Sequence, residues 1–310
     1  MYTIAHIADT HIRNLKYHDE YRIAFRNLYE SLAEQQPDFI VHCGDIAHTK
    51  TQLSPEYFQL CAEFLSSLAN IAPTYVILGN HDSNLKNENR QDAITPITNA
   101  LRHPSLHLLK NSGETHIDDG IVINVLSVFD RDNWVKPTSP DKINIALYHG
   151  AIAGSKTGAN WVMDKGDDTV TIFRDFDFAM LGDIHKQQSL DTAGCVRYCG
   201  STIQQKFSES PQKGYLLWKI ENKDNFNVRS VHVANPRPFI TIRLTESGHL
   251  PEGAHAPRNC RLRLVSRTNL PSDKLRKARS LAEAKWNPYS VAVLNGKESN
   301  THYDDGNYAN

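Results

Sequence analysis

The chain has 310 residues, 40% of them hydrophobic, and a formal net charge of −1 at pH 7. This length and composition predict one large domain or two smaller ones with a full apolar core. No segment approaches the roughly 20 apolar residues of a membrane span, and Met1 leads into the first predicted strand without a basic stretch or an apolar leader. We therefore expect a soluble, cytoplasmic protein with no membrane partner.

Five cysteines are scattered along the chain, and their odd number does not suggest a disulfide framework. Cys43 and Cys61 lie on apolar faces of predicted elements, which is typical of small reduced core residues. Cys195 and Cys199, in the sequence CVRYC, lack the second pair that a zinc site would need. We interpret these four cysteines as structural.

The first part of the chain alternates short apolar runs, typical of buried strands, with helical patterns. The sequence DEYRIAFRNLYESLAEQQ has apolar residues at helical spacing and ends before Pro37. A second helix is predicted to begin with Ser54 as N-cap and Pro55 at its first position. The residues expected on the buried face of this second helix are Phe58, Cys61, Leu65 and Leu68.

Polar side chains follow five of the predicted strands, at the point where each strand ends. These side chains are Asp9 and His11 after YTIAHIA, Asp45 and His48 after DFIVHC, Asn80, His81 and Asp82 after TYVILG, His149 after INIALY, and Asp183 and His185 after FDFAMLG. In open α/β sheets the carboxyl ends of strands are where sites form, so we expect all of these groups at one rim. One such motif alone is usually a turn or a surface histidine, but five in the same setting predict a site for two metal ions.

The segment from Gly150 to Asp168 follows His149 directly and is rich in glycine. Long irregular loops beside a site often contact substrate. Lys156 and Trp161 are therefore candidates to touch a phosphate and a base, although a solvated loop explains the sequence equally well.

A change in charge begins at Arg237. Residues 237–285 contain 11 Lys and Arg against 4 Asp and Glu, whereas residues 1–236 contain 22 against 28. The pattern predicts a small α/β domain over residues 237–296, with the order strand, strand, helix and strand, and a polar flexible tail over 297–310. A basic appendage beside an acidic core is suited to contact a nucleic-acid backbone, and a solvated charged face is the alternative. The candidate contacts are Arg258, Arg261, Arg263 and Arg267.

The series DTH, GDIAH, GNHD, YHG and GDIH resembles the calcineurin-type metallophosphoesterases. The phrases GDIAH and FDFAMLGDIHKQQ are most similar to the SbcD-type nucleases, bacterial and phage counterparts of a double-strand-break repair nuclease. The resemblance covers Tyr2 to about Ile220 and is weaker from Arg237 onward. It implies a β-sandwich flanked by helices with two metal ions at one edge, and a small capping domain that helps to position DNA.

The resemblance also implies roles for single residues. Its pattern assigns Asp9, His11, Asp45 and His185 to one metal ion, and Asp45, Asn80, His149 and Asp183 to the other. His81 is the expected general acid with Asp82 orienting it, and His48 is expected to stabilise the transition state or position the phosphate. Asp183 stands where the commonest family pattern has histidine, and its harder oxygen favours manganese, or magnesium, as the cofactor.

The function that the resemblance implies is that of a DNA exonuclease and endonuclease in double-strand-break repair and recombination. Such a hydrolase would be a homodimer, act as the nuclease subunit of a complex with an SbcC-type coiled-coil ATPase, and be nucleoid-associated and of bacterial or phage origin. One alternative is a phosphoesterase of the same fold acting on a small phosphodiester or a phosphoprotein. Another is a non-enzymatic scaffold, which a lost ligand would indicate, and no ligand is lost.

Overall fold

The computed structural model describes residues 1–50, 53–87 and 90–296. They form two compact units: a larger one from Met1–Ile203 and Gln212–Ala234, and a smaller one from Gln204–Pro211 and Asn235–Asn310, described up to residue 296. The smaller unit thus takes a short segment from within the sequence of the larger one. The tail predicted over 297–310 lies outside the described residues.

The larger unit contains two six-stranded sheets among its described residues. Its strands are β1 (Tyr2–Ile7), β2 (Phe39–Cys43), β3 (Thr74–Ile77), β4 (Leu106–Leu108), β5 (Gly113–His116), β6 (Ile121–Leu126), β7 (Ile143–His149), β8 (Phe178–Gly182), β9 (Gln188–Ser189), β10 (Val196–Tyr198), β11 (Gly214–Ile220) and β12 (Phe226–His232). Its helices are α1 (His18–Gln35), α2 (Pro55–Ile71) and α3 (Thr95–Leu101).

The strand order places the polar strand ends at the centre of each sheet. The first sheet has the order β12-β11-β1-β2-β3-β4 and the second β5-β6-β7-β8-β10-β9. Strands β1 to β4 are parallel to one another, as are β6, β7, β8 and β10. Strands that run parallel deliver their carboxyl ends to the same edge of a sheet.

The two sheets pack face to face, because residues of both contribute to one buried apolar cluster. Ile4 and Val41 of the first sheet share this cluster with Leu147 and Met180 of the second. Alternate residues of the first sheet point to the opposite face, where they pack with α1, α2 and α3. The α/β sandwich flanked by helices that the resemblance implied is therefore confirmed.

The two long helices match the prediction except at one residue. Pro37 follows α1 and Gln36, and Ser54 caps α2, where its hydroxyl accepts a hydrogen bond from the amide of Tyr57 at 3.3 Å. The prediction for Phe58 was wrong, because its side chain is 38% exposed. A helix turns by about 100° per residue, so the buried stripe runs through Tyr57 instead.

The smaller unit has the predicted order of elements. Strands β13 (Phe239–Arg243), β14 (Arg261–Ser266) and β15 (Ser290–Asn295) form a parallel sheet, and α4 (Ser272–Trp286) connects the last two. Leu262 and Leu264 pack with Ala278, Ala282 and Trp286 in its core. Across both units, each described helix is too short or too polar to cross a bilayer.

Candidate metal centre

The carboxyl ends of β1, β2 and β3 meet those of β7 and β8, so the site is built from both sheets. The loops after β1 and β2 run side by side, since the amides of Asp9 and His11 donate to the carbonyls of Gly44 and Asp45 at 3.1 and 2.9 Å. Three sets of ligand atoms each lie within 4.8 Å of one another: Asp9, His11 and His185; His11, Asp45 and His81; and Asp9, Asp45 and His149. Acids and imidazoles far apart in sequence therefore converge.

On one side of Asp45, two imidazole nitrogens face each other. The Nε2 atoms of His11 and His185 are 3.0 Å apart, and His11 Nε2 is 3.5 Å from Oδ2 of Asp45. The backbone amide of Asp183 donates to both carboxylate oxygens of Asp9, at 3.0 and 3.1 Å. Two ring nitrogens 3.0 Å apart repel each other through their lone pairs unless one carries a proton or both bind a cation. Imidazole nitrogens and carboxylate oxygens are common ligands of divalent cations, so a divalent cation fits this place.

On the other side of Asp45, the Nε2 atom of His149 faces two carboxylates. Its Nδ1 donates to the carbonyl of Cys43 at 2.7 Å, which leaves Nε2 facing Asp45 Oδ1 at 3.3 Å and Asp183 Oδ1 at 3.8 Å. Attraction to Asp45 outweighs burial and raises the pKa of His149, so Nε2 carries a proton when no metal ion is bound, while the buried Oδ1 of Asn80 has no hydrogen-bond partner among the described residues. A cation held among these groups can replace the proton on His149 and give Asn80 Oδ1 the partner that it lacks.

The backbone is unusual at four of these positions. Asp9, His11, Asp45 and Asp183 have φ values of 52°, 46°, 57° and 94°. Residues other than glycine rarely adopt positive φ, and each instance costs of order 1–3 kcal/mol. Such strain clusters at functional sites, and here it turns four side chains towards one point.

Glycine is required behind the site at Gly79. A Cβ atom built there would lie 2.2 Å from Asp45 Oδ1, 2.5 Å from the Asp45 amide nitrogen and 2.7 Å from Cε1 of His149. The backbone after β3 can therefore approach Asp45 and His149 because residue 79 has no side chain.

Asp82 does not occupy the place that we expected for it. Its carboxylate accepts hydrogen bonds from the amides of Asp45 and Ala47, both at 2.8 Å, and of Gly79 at 3.0 Å. The His81 ring is instead held through Nδ1, which lies 2.7 Å from the carbonyl oxygen of His48. Asp82 thus fixes the loop that carries Asp45, and the main chain at His48 orients His81.

Two further residues hold the backbone of histidines in the site. The hydroxyl of Tyr21, on α1, donates to the carbonyl of His11, and the Nζ of the buried Lys213 donates to the carbonyl of His185 at 2.7 Å. They lie 10 and 28 residues from the histidines that they position. No motif connects such distant residues, so sequence reasoning did not find them.

Burial, and attraction between carboxylates and histidines, dominate the electrostatics of the site. Burial raises the pKa of Asp9 to about 6 and the pKa of Asp82 to about 7. Burial acts in the same direction on Asp45, but attraction to His149 outweighs it and holds the pKa of Asp45 below its usual range. A divalent cation among these groups would favour their ionised forms, as the ligand role requires.

His48 and His81 lie beside this cluster. The His81 ring is 4.8 Å from the His11 ring and 6.1 Å from the His48 ring, and His81 is exposed. Burial lowers the pKa of His48 to about 4, so the His48 ring is neutral near pH 7. His81 is the more exposed histidine of this pair, since His48 is partly buried.

The side chains predicted to contact nucleic acid differ in exposure and in the contacts that they make with neighbouring residues. Lys156, Arg258 and Arg267 are exposed. Arg261 lies over the rings of Phe239 and Tyr289, whereas Arg263 lies over the ring of Phe207 and donates to the hydroxyl of Thr241 at 3.2 Å. These contacts order Arg261 and Arg263 within the smaller unit.

Comparison with known proteins identifies relatives of the chain. It is 36% identical over 277 residues, 84% of its length, to an uncharacterized protein of Acanthamoeba polyphaga mimivirus, of which it covers 20%. It is 24% identical over 266 residues to the DNA double-strand break repair protein Mre11 of Haloferax volcanii, covering 80% of this chain and 56% of that protein. It is 25% identical over 270 residues to a subunit of the nuclease SbcCD of Staphylococcus epidermidis, covering 72% of this chain and 67% of that protein.

The family assignment rests on a match that spans more than half of the chain. Residues 2–187 match the calcineurin-like phosphoesterase family, and this range contains the ends of β1, β2, β3, β7 and β8, which build the site. The family is one of metal-dependent phosphoesterases, in agreement with the groups of metal-ligand type at those ends. The chain belongs to the calcineurin-like phosphoesterases.

Proposed function

We propose that this protein is a two-metal phosphodiesterase that hydrolyses DNA. The observation that carries the proposal is the placement of Asp45, whose two carboxylate oxygens face different histidines. Oδ2 lies 3.5 Å from Nε2 of His11, and Oδ1 lies 3.3 Å from Nε2 of His149. A carboxylate so placed is suited to bridge two cations, and paired cations are a common device for cleaving phosphate esters.

The two ligand sets share Asp45. We assign Asp9, His11, Asp45 and His185 to one ion, and Asp45, Asn80, His149 and Asp183 to the other. When bound, the two ions would activate water and neutralise the charge that builds on the phosphate. The mixture of carboxylate, amide and imidazole donors suits manganese, with magnesium as the second choice.

The chain's own residues supply the proton chemistry. His81 is exposed beside His11, and its Nδ1 is fixed by the carbonyl of His48, so Nε2 is the atom that can give a proton to the leaving oxygen. His48 stacks near His81 and stays neutral near pH 7, which suits it to position the phosphate by a hydrogen bond. Asp82 keeps Asp45 in place through three backbone amides.

The names of two relatives support DNA as the substrate. The Haloferax relative is named for DNA double-strand break repair, and the Staphylococcus relative is named as part of a nuclease. By analogy, we extend the proposal to exonuclease and endonuclease activity, a homodimer and an SbcC-type ATPase partner. The similarity to a mimivirus protein is compatible with a viral or phage origin.

A second candidate function is favoured by the smaller unit. Arg261 and Arg263, two of the four arginines proposed to contact DNA, lie over aromatic rings of their own unit. If Arg258 and Arg267 contribute nothing to DNA binding, a small phosphodiester or a phosphoprotein becomes the better substrate.

Hydrolysis assays separate these functions. Single- and double-stranded DNA, a chromogenic diester and a phosphopeptide are incubated with the protein and manganese, magnesium or a chelator. We expect DNA cleavage that requires metal and falls at least about a hundredfold in His81→Ala and Asp45→Asn. DNA cleavage that persists in chelator and in both variants would contradict the proposal, and turnover of the diester or the phosphopeptide alone would favour the second candidate.

A further inference from the structure

A short hairpin in the segment from Gly150 to Asp168 presents an exposed tryptophan. Lys156 and Val162 pair as an isolated antiparallel bridge, and the Thr157 amide donates to the carbonyl of Trp161 at 2.9 Å. Asn160 makes the turn with a φ of 63°. The Trp161 side chain is 61% exposed, which is unusual for the largest apolar side chain and is typical of a binding surface.

The hairpin is anchored to the chain that leaves the metal centre. The side-chain amide of Gln188 accepts from the backbone amide of Lys156 at 2.8 Å and donates to its carbonyl at 2.7 Å. The Nζ of Lys186 also donates to the side chain of Asn160. Gln188 lies three residues after His185, so at most about 10 Å of chain separates the anchor from a candidate ligand.

Two acids of the segment are engaged in hydrogen bonds near its base. Asp167 accepts a hydrogen bond from the amide of Ala151 at 2.9 Å, and Asp168 accepts one from the hydroxyl of Tyr148 at 2.8 Å. Asp168 also pairs with Arg131 at 2.9 Å. These contacts engage two of the three acids of the segment at its base.

The remaining charged groups lie on the outer part of the hairpin segment. Lys156 and Lys165 are exposed, together with one acid, Asp164. An exposed aromatic face on a segment that also carries exposed lysines has the chemistry of a single-stranded nucleic-acid platform, where rings stack on bases and cations attract the phosphates. A phosphoprotein substrate offers no base for such a face.

We propose that Trp161 stacks on an unpaired nucleobase of the strand that is cleaved, and that the exposed lysines of the same segment, Lys156 and Lys165, attract the phosphate backbone. This inference rests on the proposed function and narrows its substrate to nucleic acid with unpaired bases next to the cleaved bond. Trp161 acts on binding and takes no part in the proton transfer assigned to His81.

The test compares binding of two single strands to the metal-loaded full chain. Both carry phosphorothioate linkages that resist hydrolysis; one has thymine bases and the other is abasic over its central nucleotides. Wild type is expected to bind the base-bearing strand at least about fivefold more tightly, since one stacked base contributes about 1–3 kcal/mol. Trp161→Leu should abolish this preference, whereas Trp161→Phe should retain part of it because a ring remains.

Val162→Ala is the matched control, since Val162 is 43% exposed in the same hairpin and has no aromatic face. It should keep the wild-type preference. Thermal unfolding of each variant checks that the fold is intact. If Trp161→Leu does not fold, the base preference of Trp161→Phe is compared with that of the wild type instead. An equal preference in wild type and Trp161→Leu, or no preference in wild type, would overturn the proposal.

Failure of the platform is distinguishable from failure of the proposed function. Hydrolysis of bis(p-nitrophenyl) phosphate by the wild-type protein with manganese tests the phosphodiesterase proposal without any base. Hydrolysis of that diester without base preference in binding would remove the Trp161 inference and leave the proposed function. Absence of hydrolysis of every diester would remove the proposed function and, with it, the role of Trp161 at a cleaved bond.

Discussion

Nε2 of His149 lies 3.3 Å from Oδ1 of Asp45, while Nδ1 of the same ring donates to the carbonyl of Cys43 at 2.7 Å. Nε2 therefore faces a buried carboxylate, and although burial acts to lower the pKa of His149, attraction to Asp45 outweighs it and raises that pKa well above its usual value. A proton on Nε2 stabilises this arrangement when no metal ion is bound, and a metal ion held by both groups can take the place of that proton.

Asp45→Asn should remove the stabilisation that manganese gives to the folded protein. Ligands that bind the native state stabilise it by mass action, by about 2.7 kcal/mol at a hundredfold excess over Kd. We expect manganese to raise the Tm of the wild type and to leave that of Asp45→Asn nearly unchanged, as followed by calorimetry. Asp119→Asn, which changes an exposed acid, is the control. Equal manganese shifts in both variants would contradict a bridging role for Asp45.

Gly79→Ala should weaken metal binding, although residue 79 is not itself a proposed ligand. The added methyl would meet Asp45 and His149 at less than 3 Å, so the site must open or the loop must move. We expect manganese affinity, measured by titration calorimetry, to fall at least about tenfold. Gly120→Ala is the control, because its Cβ meets the hydroxyl end of the Tyr2 side chain. Unchanged affinity in Gly79→Ala would show that the close approach is unnecessary.

Buried histidines should make the fold sensitive to acid. His6 is fully buried, its Nε2 lies 3.2 Å from the carbonyl of Leu181, and burial lowers the pKa of its ring to about 3. The unfolded value is 6.5, so the stabilisation is complete above pH 6.5 and is lost as the pH falls towards 3. Each such histidine contributes a slope of about 1.4 kcal/mol per pH unit in that window.

Chemical denaturation at several pH values between 4 and 8 measures this slope. His6→Gln, whose amide can still donate to Leu181, should flatten it. His116→Gln replaces an exposed histidine and should leave it unchanged. An unaltered slope in His6→Gln would contradict the assignment.

The four arginines predicted to contact DNA should divide into an exposed pair that affects DNA binding and a pair over aromatic rings that affects stability. Arg258→Ala and Arg267→Ala remove exposed cations, and each should weaken DNA binding and reduce the salt dependence by about one charge. Arg261→Ala removes contacts over Phe239 and Tyr289 and should lower stability by about 1 kcal/mol. Fluorescence anisotropy across salt concentrations, with Tm measured in parallel, separates the two effects. DNA binding unaffected by the double variant Arg258→Ala and Arg267→Ala would favour a substrate other than DNA.

The sequence was most informative where an apolar run of strand length ends at turn residues. The runs that end before Asp9, Asp45, Asn80 and Asp183 are all central strands, because a continuous apolar run bounded by turn residues leaves few alternatives. The capping of α2 by Ser54 is likewise local, since the residues involved are three apart. Local physics therefore sufficed to predict these central strands and the rim that their ends form.

The direction of side chains after tight turns could not be predicted. Asp82 follows His81 directly, yet its carboxylate turns away to the amides of Asp45 and Ala47, which lie more than thirty residues earlier. The roles of Tyr21 and Lys213 depend in the same way on contacts between distant elements. Such contacts follow from the packing of the whole domain and not from any spacing within a motif.

Anomalous diffraction at the manganese absorption edge, from crystals grown with manganese, tests the central claim most directly. We expect two peaks on either side of the Asp45 carboxylate, one beside His11 and His185 and the other beside His149 and Asn80. A single peak away from Asp45, or no peak at these residues at saturating manganese, would contradict the two-metal centre.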